Sequence, residues 1–424
     1  MSRWPEAFLN RMQTQLGESF PAFSEALSEP AKKALHINTL KTGRNELSAL
    51  LDLPLPVLSE NPDGAPLPDG FNPNATPLHA AGLFYMQEAT AQAPVAGFEL
   101  PDAPVVLDLC AAPGGKSVQL AAKAQGGVLF SNEIVSSRAE VLAGNIERMG
   151  ITNAFVTNAE PKGITERLSG KCDAVLVDAP CAGEAMFRKD EQAVRDWSLE
   201  HVETCAVRQR AILEDAQKAV KPGGTLVYST CSFSPQENEE TVQAFLDRHT
   251  DFSCVRSQRL YPHTSAGEGQ FFAVLRRDGE RVPSVFSIGK SDRIPAFDAF
   301  SEQVRLPEGQ IRLLKDGRVL LLPAMPFPFD GVRVVRAGLL LGEVKGSRFE
   351  PAHALATAGK TTPFYRTCEL TFDEAMRYLH GETLFRDAEK GFGAATYRGH
   401  ALGLYKASDG MLKNRYPKGL RLFR

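Results

Sequence analysis

Residues 79 to 277 alternate short apolar runs with longer helical stretches, and this pattern constrains the fold more than any other feature of the chain. Strands that are apolar throughout, rather than at every second position, are typical of a parallel sheet covered by helices on both faces. The pattern predicts a doubly wound α/β domain, in which ligands bind beyond the carboxyl ends of the strands. The predicted strands are PVVLDL (104–109), GVLFSN (127–132), NAFVTN (153–158), DAVLVD (173–178), GTLVYS (224–229) and FFAVLR (271–276).

The rest of the chain divides around this α/β domain, which we place at 78–278. Residues 1–77 begin with amphipathic helical patterning and end in a loop rich in Pro, Asn, Asp and Gly, which predicts a small N-terminal α/β domain. We expect a linker at 279–300 and a C-terminal mixed α+β region at 301–424. A chain of 424 residues is long enough for two or three domains.

Charge and cysteine content narrow the class of protein. The 48 Lys and Arg against 51 Asp and Glu give a net charge of −3, so any nucleic-acid partner has to be met by local basic patches. The seven cysteines include no closely spaced pairs of the zinc-ribbon kind, and their odd number argues against a disulfide framework. We see neither a signal peptide nor an apolar run of membrane-spanning length. We therefore expect a cytoplasmic protein without metal or membrane contact, and nothing in the sequence demands more than a monomer.

The first strand runs directly into LCAAPGGKSVQL (109–120), a loop of small residues that lets a ligand approach the backbone. The loop is one residue from a phosphate-binding P-loop, so an ATPase or GTPase is one alternative. Against it, Cys110 replaces a glycine whose conformations a cysteine adopts poorly, and Pro113 lacks an amide for a phosphate. Glu133 follows the glycines by about 20 residues, where an acid binds ribose hydroxyls, unless it only caps the helix that begins near Ser136. S-adenosylmethionine fits these features better than ATP.

Two cysteines and an aspartate follow the ends of neighbouring strands. Asp178 ends the fourth strand, Cys181 comes three residues later, and Cys231 lies just past the fifth strand. Because parallel strands end at one edge of a sheet, we expect these side chains beside the nucleoside-type loop. A cysteine is most often a small buried hydrophobe. We interpret four others in that way: Cys172, Cys205, Cys254 and Cys368.

A thiol at such a site suggests methylation of a pyrimidine at C5. A thiolate that adds to C6 turns the ring into an enamine whose C5 can attack a methyl sulfonium, and a carboxylic group at N3 can stabilise the adduct. A free thiol has a pKa near ~8.5 and is mostly protonated at neutral pH, so the site has to activate it. Lys116 and nearby helix N-termini are candidates for that activation.

Three ordered motifs, LDLCAAPGGKS (107–117), VDAPCAG (177–183) and YSTCSFSPQENE (228–239), resemble the RNA cytosine-5 methyltransferases of the NOL1/NOP2/Sun family. HINTLK resembles another family motif, with His36 in place of an arginine. The ending GMLKNRYPKGLRLFR (410–424) looks like the bacterial 16S ribosomal RNA branch, which carries a C-terminal PUA-like domain. The resemblance implies a Rossmann-like, S-adenosylmethionine-dependent methyltransferase domain between N-terminal and C-terminal RNA-binding regions.

The resemblance also implies roles for single residues. In this family the cysteine of the Thr-Cys pair attacks, which nominates Cys231, and Cys181 assists breakdown of the covalent adduct and release of the product. DNA cytosine-5 methyltransferases instead attack with the cysteine of a Pro-Cys pair, which would nominate Cys181. Asp178 would lie at the cytosine edge, and Asn158 stands where the family commonly has an aspartate. The implied cofactor-binding residues are Cys110, Ala111, Ala112, Pro113, Gly114, Gly115, Lys116, Glu133, Arg138, Asn158 and Asp178.

The implied function is transfer of a methyl group from S-adenosylmethionine to C5 of a cytidine in ribosomal RNA, foremost 16S, through a covalent adduct between a cysteine and C6. The partner is then ribosomal RNA or the small ribosomal subunit, and the target base has to leave any stack. A noncatalytic RNA-binding ribosome-assembly factor is the alternative of a different class, although a scaffold needs neither cysteine. Two basic clusters are candidate RNA contacts: Lys406, Lys413, Arg415, Lys418, Arg421 and Arg424 in the tail, and Arg333, Arg336, Lys345 and Arg348 before it.

Overall fold

The computed structural model describes residues 3–284, 289–323 and 330–422. The N-terminal part contains α1 (Glu6–Leu16), α2 (Phe20–Ser28), β1 (Ala34–Ile37), α3 (Arg44–Leu51), β2 (Gly64–Pro66), α4 (Pro77–Ala80), β3 (Phe84–Met86) and α5 (Ala93–Ala96). Strand β1 is the middle strand of an antiparallel sheet with the order β2-β1-β3. Apolar side chains of α1 and α2, including Phe8 and Phe23, pack against Phe187 and Phe233 of the α/β domain. The N-terminal helices therefore support the part of the chain that carries the two candidate cysteines.

The middle of the chain forms the predicted α/β domain. Its elements are β4 (Val105–Asp108), α6 (Gly115–Lys123), β5 (Val128–Asn132), α7 (Ser136–Arg148), β6 (Ala154–Asn158), α8 (Pro161–Arg167), β7 (Cys172–Asp178), α9 (Glu191–Asp196), α10 (Leu199–Ala219), β8 (Val220–Thr230), α11 (Glu239–Leu246), β9 (Phe252–Leu260) and β10 (Gln270–Arg277). Each predicted strand is present to within a few residues, and the doubly wound fold class is confirmed.

The C-terminal part is rich in short strands. It contains α12 (Pro295–Ser301), β11 (Gln310–Leu313), β12 (Arg318–Leu322), β13 (Arg333–Ala337), β14 (Leu339–Lys345), β15 (Arg348–Pro351), α13 (His353–Thr357), β16 (Thr367–Glu369), α14 (Phe372–Leu379), β17 (Leu384–Phe385), β18 (Gly391–Tyr397), β19 (His400–Ser408) and β20 (Met411–Asn414). The strands form two sheets, with the orders β11-β12-β14-β15 and β16-β18-β19-β20-β17. Helix α12 begins inside the segment predicted as a linker, and the domain limits stay a prediction.

Within the described residues, the central sheet has eight strands in the order β13-β6-β5-β4-β7-β8-β10-β9. Strands β6, β5, β4, β7 and β8 are parallel, and β10, β9 and β13 are antiparallel to their neighbours. The chain moves outward from β4 in one direction to β5 and β6, and then in the other to β7. Such a switch point is where open α/β sheets bind ligands.

Alternate residues of the parallel strands enter two separate apolar layers. Leu107 packs in the layer that contains Phe130, whereas its neighbour Val106 packs in the opposite layer with Leu142. This two-sided burial explains why the strands are apolar at consecutive positions. In the parts of the chain that the structure describes, no helix is both long and apolar enough to span a membrane.

Candidate active site

A cleft of about 920 Å³ opens at the carboxyl ends of the parallel strands, at the switch point between β4 and β7. Its lining includes residues that follow all five parallel strands, β6, β5, β4, β7 and β8, together with residues of α9 and α10. The cleft brings together these residues that the sequence predicted for the site: Cys110, Ala112, Glu133, Arg138, Asp178, Cys181 and Cys231.

Two side chains of α7 form hydrogen bonds with the loop after β4 and fix its conformation. Arg138 donates a hydrogen bond to the carbonyl of Ala112 (2.9 Å), and Asn145 donates to the carbonyl of Pro113 (2.9 Å). Gly114 has a φ of +117°, and a Cβ there would lie 3.0 Å from the side chain of Leu142. Glycine is therefore required at this point by both the backbone angle and the packing.

The predicted residues Ala111, Pro113, Gly114, Gly115 and Lys116 do not line the cleft, which distinguishes them from Cys110 and Ala112. They shape the loop and begin α6, whose first residue is Gly115. A Cβ at Gly115 would lie 3.1 Å from Gln87 and 3.2 Å from Tyr85, so the turn packs closely against the segment before the sheet.

Glu133 is buried and lines the cleft, and its carboxylate also contacts residues at the start of α7. One oxygen accepts the backbone amide of Val135 at 2.9 Å, just before α7 begins, and the other lies 3.5 Å from the guanidinium of Arg138. The same carboxylate can therefore cap α7 and accept hydrogen bonds from ribose hydroxyls. Asn158 does not line the cleft, since its amide nitrogen donates to the carbonyls of Glu133 (2.8 Å) and Ile134 (2.9 Å).

Asp178 is fixed by three donors at the end of β7. Lys116 Nζ lies 2.7 Å from one carboxylate oxygen, while Ser229 Oγ donates to the other at 2.6 Å and Gln270 Nε2 reaches it at 3.4 Å. The side chain is 33% exposed, so the carboxylate still faces the cleft. The positive charge of Lys116 is therefore paired with Asp178, and this ion pair does not leave Lys116 as a free cation for thiol activation.

The two candidate cysteines are in direct contact. Cys181 Sγ lies 3.2 Å from Cys231 Sγ, and the carbonyl of Cys231 accepts the backbone amide of Ala185 at 2.9 Å. The hydrogen bond with Cys231 and burial raise the pKa of Cys181 well above its ordinary value. A raised pKa keeps Cys181 protonated at neutral pH, in contact with the sulfur of Cys231.

Two buried glutamates that the sequence reasoning did not assign hold the cysteine loops. Glu184 accepts the backbone amide of Phe233 (2.8 Å) and the indole nitrogen of Trp197 (2.8 Å), and it pairs with Arg11 of α1 at 2.6 Å. Glu237 accepts the amide of the residue after Cys181. Glu184 lies among small and apolar residues (AGEAMF), a context that could have revealed it, whereas Glu237 lies in the polar stretch SPQENEE, which carries no such signal.

Other thiols near the sheet are poor nucleophiles. Burial raises the pKa of Cys110 far above its ordinary value and that of Cys205 to about 11. Asp108, below the loop after β4, accepts Ser117 Oγ at 2.6 Å, and burial raises its pKa to about 7. No group of three or more His, Cys, Asp or Glu residues that could hold a metal ion occurs within the described ranges.

Three members of one predicted RNA-binding cluster form ion pairs within the protein. Arg336 is buried and pairs with Glu147 at 3.1 Å, and Arg333 pairs with Glu140 at 2.7 Å. Lys345 likewise pairs with two glutamates of its own sheet. The guanidinium of Arg336 is buried in its pair, whereas the side chains of Arg333 and Lys345 are 52% and 54% exposed, so RNA binding by this cluster stays a prediction.

The cleft suits S-adenosylmethionine in both polarity and shape. Ile134 and Val135 expose 57% and 44% of their surface although they are apolar, and both line the cleft beside Glu133. An apolar surface next to a carboxylate can hold an adenine ring and accept hydrogen bonds from ribose hydroxyls. The loop from Cys110 and the carboxylate of Asp178 would hold the methionine end.

The fold and this site define an S-adenosylmethionine-dependent methyltransferase with two thiols in contact at the edge of the cleft. The chain is 32% identical to ribosomal RNA small subunit methyltransferase F of Erwinia tasmaniensis, over 98% of this chain and 96% of that protein. Its identity is 33% to the Klebsiella pneumoniae protein of the same name and 30% to that of Escherichia coli, at the same coverage. The chain therefore belongs to the RsmF family of 16S rRNA methyltransferases.

Family models match successive parts of the chain. Residues 97–276 match 16S rRNA methyltransferase RsmB/F, and residues 4–89 match the N-terminal domain of 16S rRNA methyltransferase RsmF. Residues 299–358 match the first C-terminal domain of RsmF rRNA methyltransferase, and residues 365–422 match the methyltransferase RsmF PUA domain. The chain is thus an S-adenosylmethionine-dependent rRNA cytosine-C5 methyltransferase, and both alternatives, a P-loop NTPase and a noncatalytic factor, are excluded.

Solved structures support the same fold. A methyltransferase homologue from Pyrococcus horikoshii is 27% identical, with a TM-score of 0.59, over 65% of this chain and 95% of that one. NSun6 from Pyrococcus horikoshii, with SFG, is 20% identical, with a TM-score of 0.57, over 65% of this chain and 99% of that one. At that identity, the NSun6 likeness concerns the fold alone.

Proposed function

We propose that the protein methylates C5 of a cytidine in 16S rRNA, with Cys231 as the nucleophile and Cys181 as the residue that assists product release. The contact of 3.2 Å between the two sulfurs, at the rim of a cleft that also contains Asp178, is the observation that carries the proposal. The named function of the bacterial relatives supports 16S rRNA as the substrate. Both thiols and the cleft come from one chain, so we infer that a monomer in the bacterial cytoplasm is active.

The first step is addition of the sulfur of Cys231 to C6 of the cytosine. The new S–C6 bond uses the thiolate electron pair, and the electrons of the C5=C6 bond make C5 nucleophilic. The thiol proton of Cys231 leaves as the bond forms and N3 takes up a proton, and Asp178, fixed by Lys116 and Ser229, is the carboxyl group placed to pass that proton to N3 and hold it there. S-adenosylmethionine supplies the electrophilic methyl group on a sulfonium, toward which C5 reacts.

The second step is breakdown of the adduct. The proton on C5 passes to a base, the C5=C6 bond forms again, and the electrons of the C6–S bond return to Cys231. Cys181 lies against that departing sulfur and carries the proton, because its pKa is raised by burial and by the hydrogen bond with Cys231. A thiol that keeps its proton is a better donor to a leaving sulfur than a nucleophile, which supports this division of labour over the reverse.

Basic residues of the C-terminal sheet offer a surface for the RNA backbone. Lys406 and Lys413 of the predicted tail cluster line a groove of about 810 Å³ together with Arg366 and Lys390. Lys406 also lies 5.0 Å from the ring centre of Phe392. Phosphate contacts at such a groove would position the RNA without reading its sequence. Arg424 of the predicted cluster lies outside the described residues.

The proposal is tested by methylation of purified RNA and of ribosomal subunits. The enzyme is incubated with labelled S-adenosylmethionine and either free 16S rRNA, 30S subunits or 23S rRNA, and modified cytidines are mapped by mass spectrometry. We expect 5-methylcytidine in free 16S rRNA and in 30S subunits, and none in 23S rRNA. The variant Cys231→Ala should still bind the cofactor but should form no 5-methylcytidine in any sample. Methylation confined to 23S rRNA, or full activity of Cys231→Ala, would contradict the proposal.

A further inference from the structure

The loops that carry the two thiols are joined by the buried carboxyl group of Glu237. One carboxylate oxygen accepts the backbone amide of Ala182 at 2.9 Å, and the other accepts Ser232 Oγ at 2.5 Å. Ala182 follows Cys181 directly, and Ser232 follows Cys231 directly. A single side chain is therefore tied to the residue next to each sulfur.

Gln209 of α10 extends this bridge to the other side of Cys181. Its amide nitrogen donates both to Glu237 (2.9 Å) and to the carbonyl of Pro180 (3.0 Å). Its amide oxygen accepts Tyr228 Oη at 2.9 Å. The backbone is thus held both before and after Cys181, and Glu237 lies at the centre of the network.

Burying a carboxylate costs free energy that an apolar contact between the loops would avoid. In agreement with this, burial raises the pKa of Glu237. The loop of Cys231 also has supports of its own, since Ala185 donates to the carbonyl of Cys231 and Glu184 accepts the amide of Phe233. Removing Glu237 therefore weakens the placement of Cys181 more than that of Cys231.

We propose that Glu237 is a positioning residue that holds Cys181 within reach of Cys231 for product release. This inference rests on the proposed roles of the two cysteines. Without the bridge, Cys231 can still attack the cytosine, but Cys181 is no longer held against the departing sulfur. The covalent adduct between enzyme and RNA should then persist, even though both cysteines are present.

The test compares Glu237→Ala, which removes every accepted hydrogen bond, with Glu237→Gln, which keeps an oxygen for the amide of Ala182. Glu240→Gln is the matched control, because Glu240 is an exposed carboxylate three residues further along. Each variant is incubated with S-adenosylmethionine and 16S rRNA. The fraction of covalent adduct is read on a denaturing gel, and single-turnover methyl transfer is measured separately from steady-state turnover.

For Glu237→Ala we expect adduct to accumulate and turnover to fall about tenfold or more, because the three hydrogen bonds that Glu237 accepts are lost together. Single-turnover methyl transfer should change less, Glu237→Gln should recover part of the turnover, and Glu240→Gln should behave as the unmodified enzyme. Wild-type turnover in Glu237→Ala, or an equal loss of both rates without adduct, would overturn the inference.

Two further variants keep the test decisive. If Glu237→Ala fails to fold, Ser232→Ala removes the hydroxyl that links Glu237 to the loop of Cys231, along with its longer contacts to Glu184 (3.3 Å) and the amide of Ser234 (3.1 Å), and the same persistence of adduct is expected. Thermal unfolding and cofactor affinity establish that each variant is folded. Cys181→Ala is run in parallel. If Cys181→Ala forms no adduct, the proposed roles of the two cysteines are contradicted. If Cys181→Ala forms adduct and Glu237→Ala does not, only the inference about Glu237 is contradicted.

Discussion

The sulfur of Cys181 lies 3.2 Å from the sulfur of Cys231, although 50 positions separate the two residues in the chain. The contact arises because β7 and β8 are parallel neighbours and each cysteine follows the end of its strand. This arrangement gives the site two sulfurs with different tasks at the same base.

Mild oxidation should join these two cysteines. Their sulfurs already touch, so attack of one thiol on an oxidised partner needs little movement. We expect diamide to abolish methylation, dithiothreitol to restore it, and a peptide that links Cys181 to Cys231 to appear under non-reducing mass spectrometry. Cys254→Ser, at an exposed cysteine, serves as the control and should respond like the wild type. Irreversible loss of activity without the linked peptide would contradict the prediction.

Asp178→Asn should slow methyl transfer by about 100-fold or more, in the range typical of lost acid–base or charge stabilisation. The change also leaves Lys116 without its carboxylate partner, which lies 2.7 Å away. Single-turnover methyl transfer to 16S rRNA measures the effect. Asp196→Asn, at an exposed acid that also lines the cleft, should stay within about threefold of the wild type. Equal losses for the two variants would show that Asp178 has no special role.

Glu133→Gln should weaken binding of S-adenosylmethionine by about 10- to 100-fold, the range expected for hydrogen bonds to a charged acceptor. Asn158→Ala should weaken it by less than about fivefold, because Asn158 bonds to the backbone behind the cleft rather than lining it. Isothermal titration calorimetry gives both dissociation constants. The opposite order of effects would place the adenosine next to Asn158 and contradict our assignment.

Arg188→Met should lower the free energy of unfolding by about 3–5 kcal/mol, because it leaves the carboxylate of Glu268 buried without its main partner. The two side chains are 2% exposed each, and their atoms lie 2.5 Å apart. The double variant Arg188→Met/Glu268→Gln should recover part of the loss. Urea unfolding measures all three proteins.

The surface variant Lys162→Met is the control for that experiment, since its ion pair with Glu166 is exposed and 3.9 Å long. We expect it to change the free energy of unfolding by about 0.5 kcal/mol or less. If Arg188→Met also lowered the free energy of unfolding by only about 0.5 kcal/mol or less, the buried ion pair would stabilise the protein no more than the exposed one, contrary to the prediction.

Stability should fall on acidification below about pH 6.5. Burial, with a contribution from Lys41, lowers the pKa of His353 from 6.5 to about 4, and burial lowers that of His36 to about 3. Between pH 6.5 and 4 the unfolded chain therefore binds protons that the folded protein does not, so the free energy of unfolding decreases as pH falls. His353→Gln should reduce this slope by up to about 1.4 kcal/mol per pH unit, measured by urea unfolding at several pH values. An unchanged slope would show that His353 titrates normally in the folded protein.

The strands and the edge that carries the thiols follow from local patterns in the sequence. Continuous apolar runs identify the parallel strands, and residues just after each run reach the same edge, which is why Cys181 and Cys231 were expected beside Asp178. The segment GVRVVRAGLLLGEV has a β-like pattern, but that pattern does not predict that its strand β13 joins the edge of the central sheet beside β6. Its Arg336 pairs with Glu147, 189 positions earlier, and no local pattern reveals such a contact.

The buried acids show a second limit of sequence patterns. Glu184 and Glu237 stand in the motifs that carry the thiols, but their burial depends on partners from other elements, such as Arg11 of α1. Phe187 and Tyr261 likewise pack in the apolar cluster between the N-terminal helices and the cysteine loops, a contact between distant parts of the chain that no local pattern reveals.

The central claim is that Cys231 attacks and Cys181 assists release, and the most direct measurement is the covalent adduct itself. Cys181→Ala, Cys231→Ala and the double variant are incubated with S-adenosylmethionine and 16S rRNA and run on a denaturing protein gel. We predict a slow, RNase-sensitive band for Cys181→Ala and none for the other two. Such a band in Cys231→Ala, with none in Cys181→Ala, would make Cys181 the nucleophile and contradict this account.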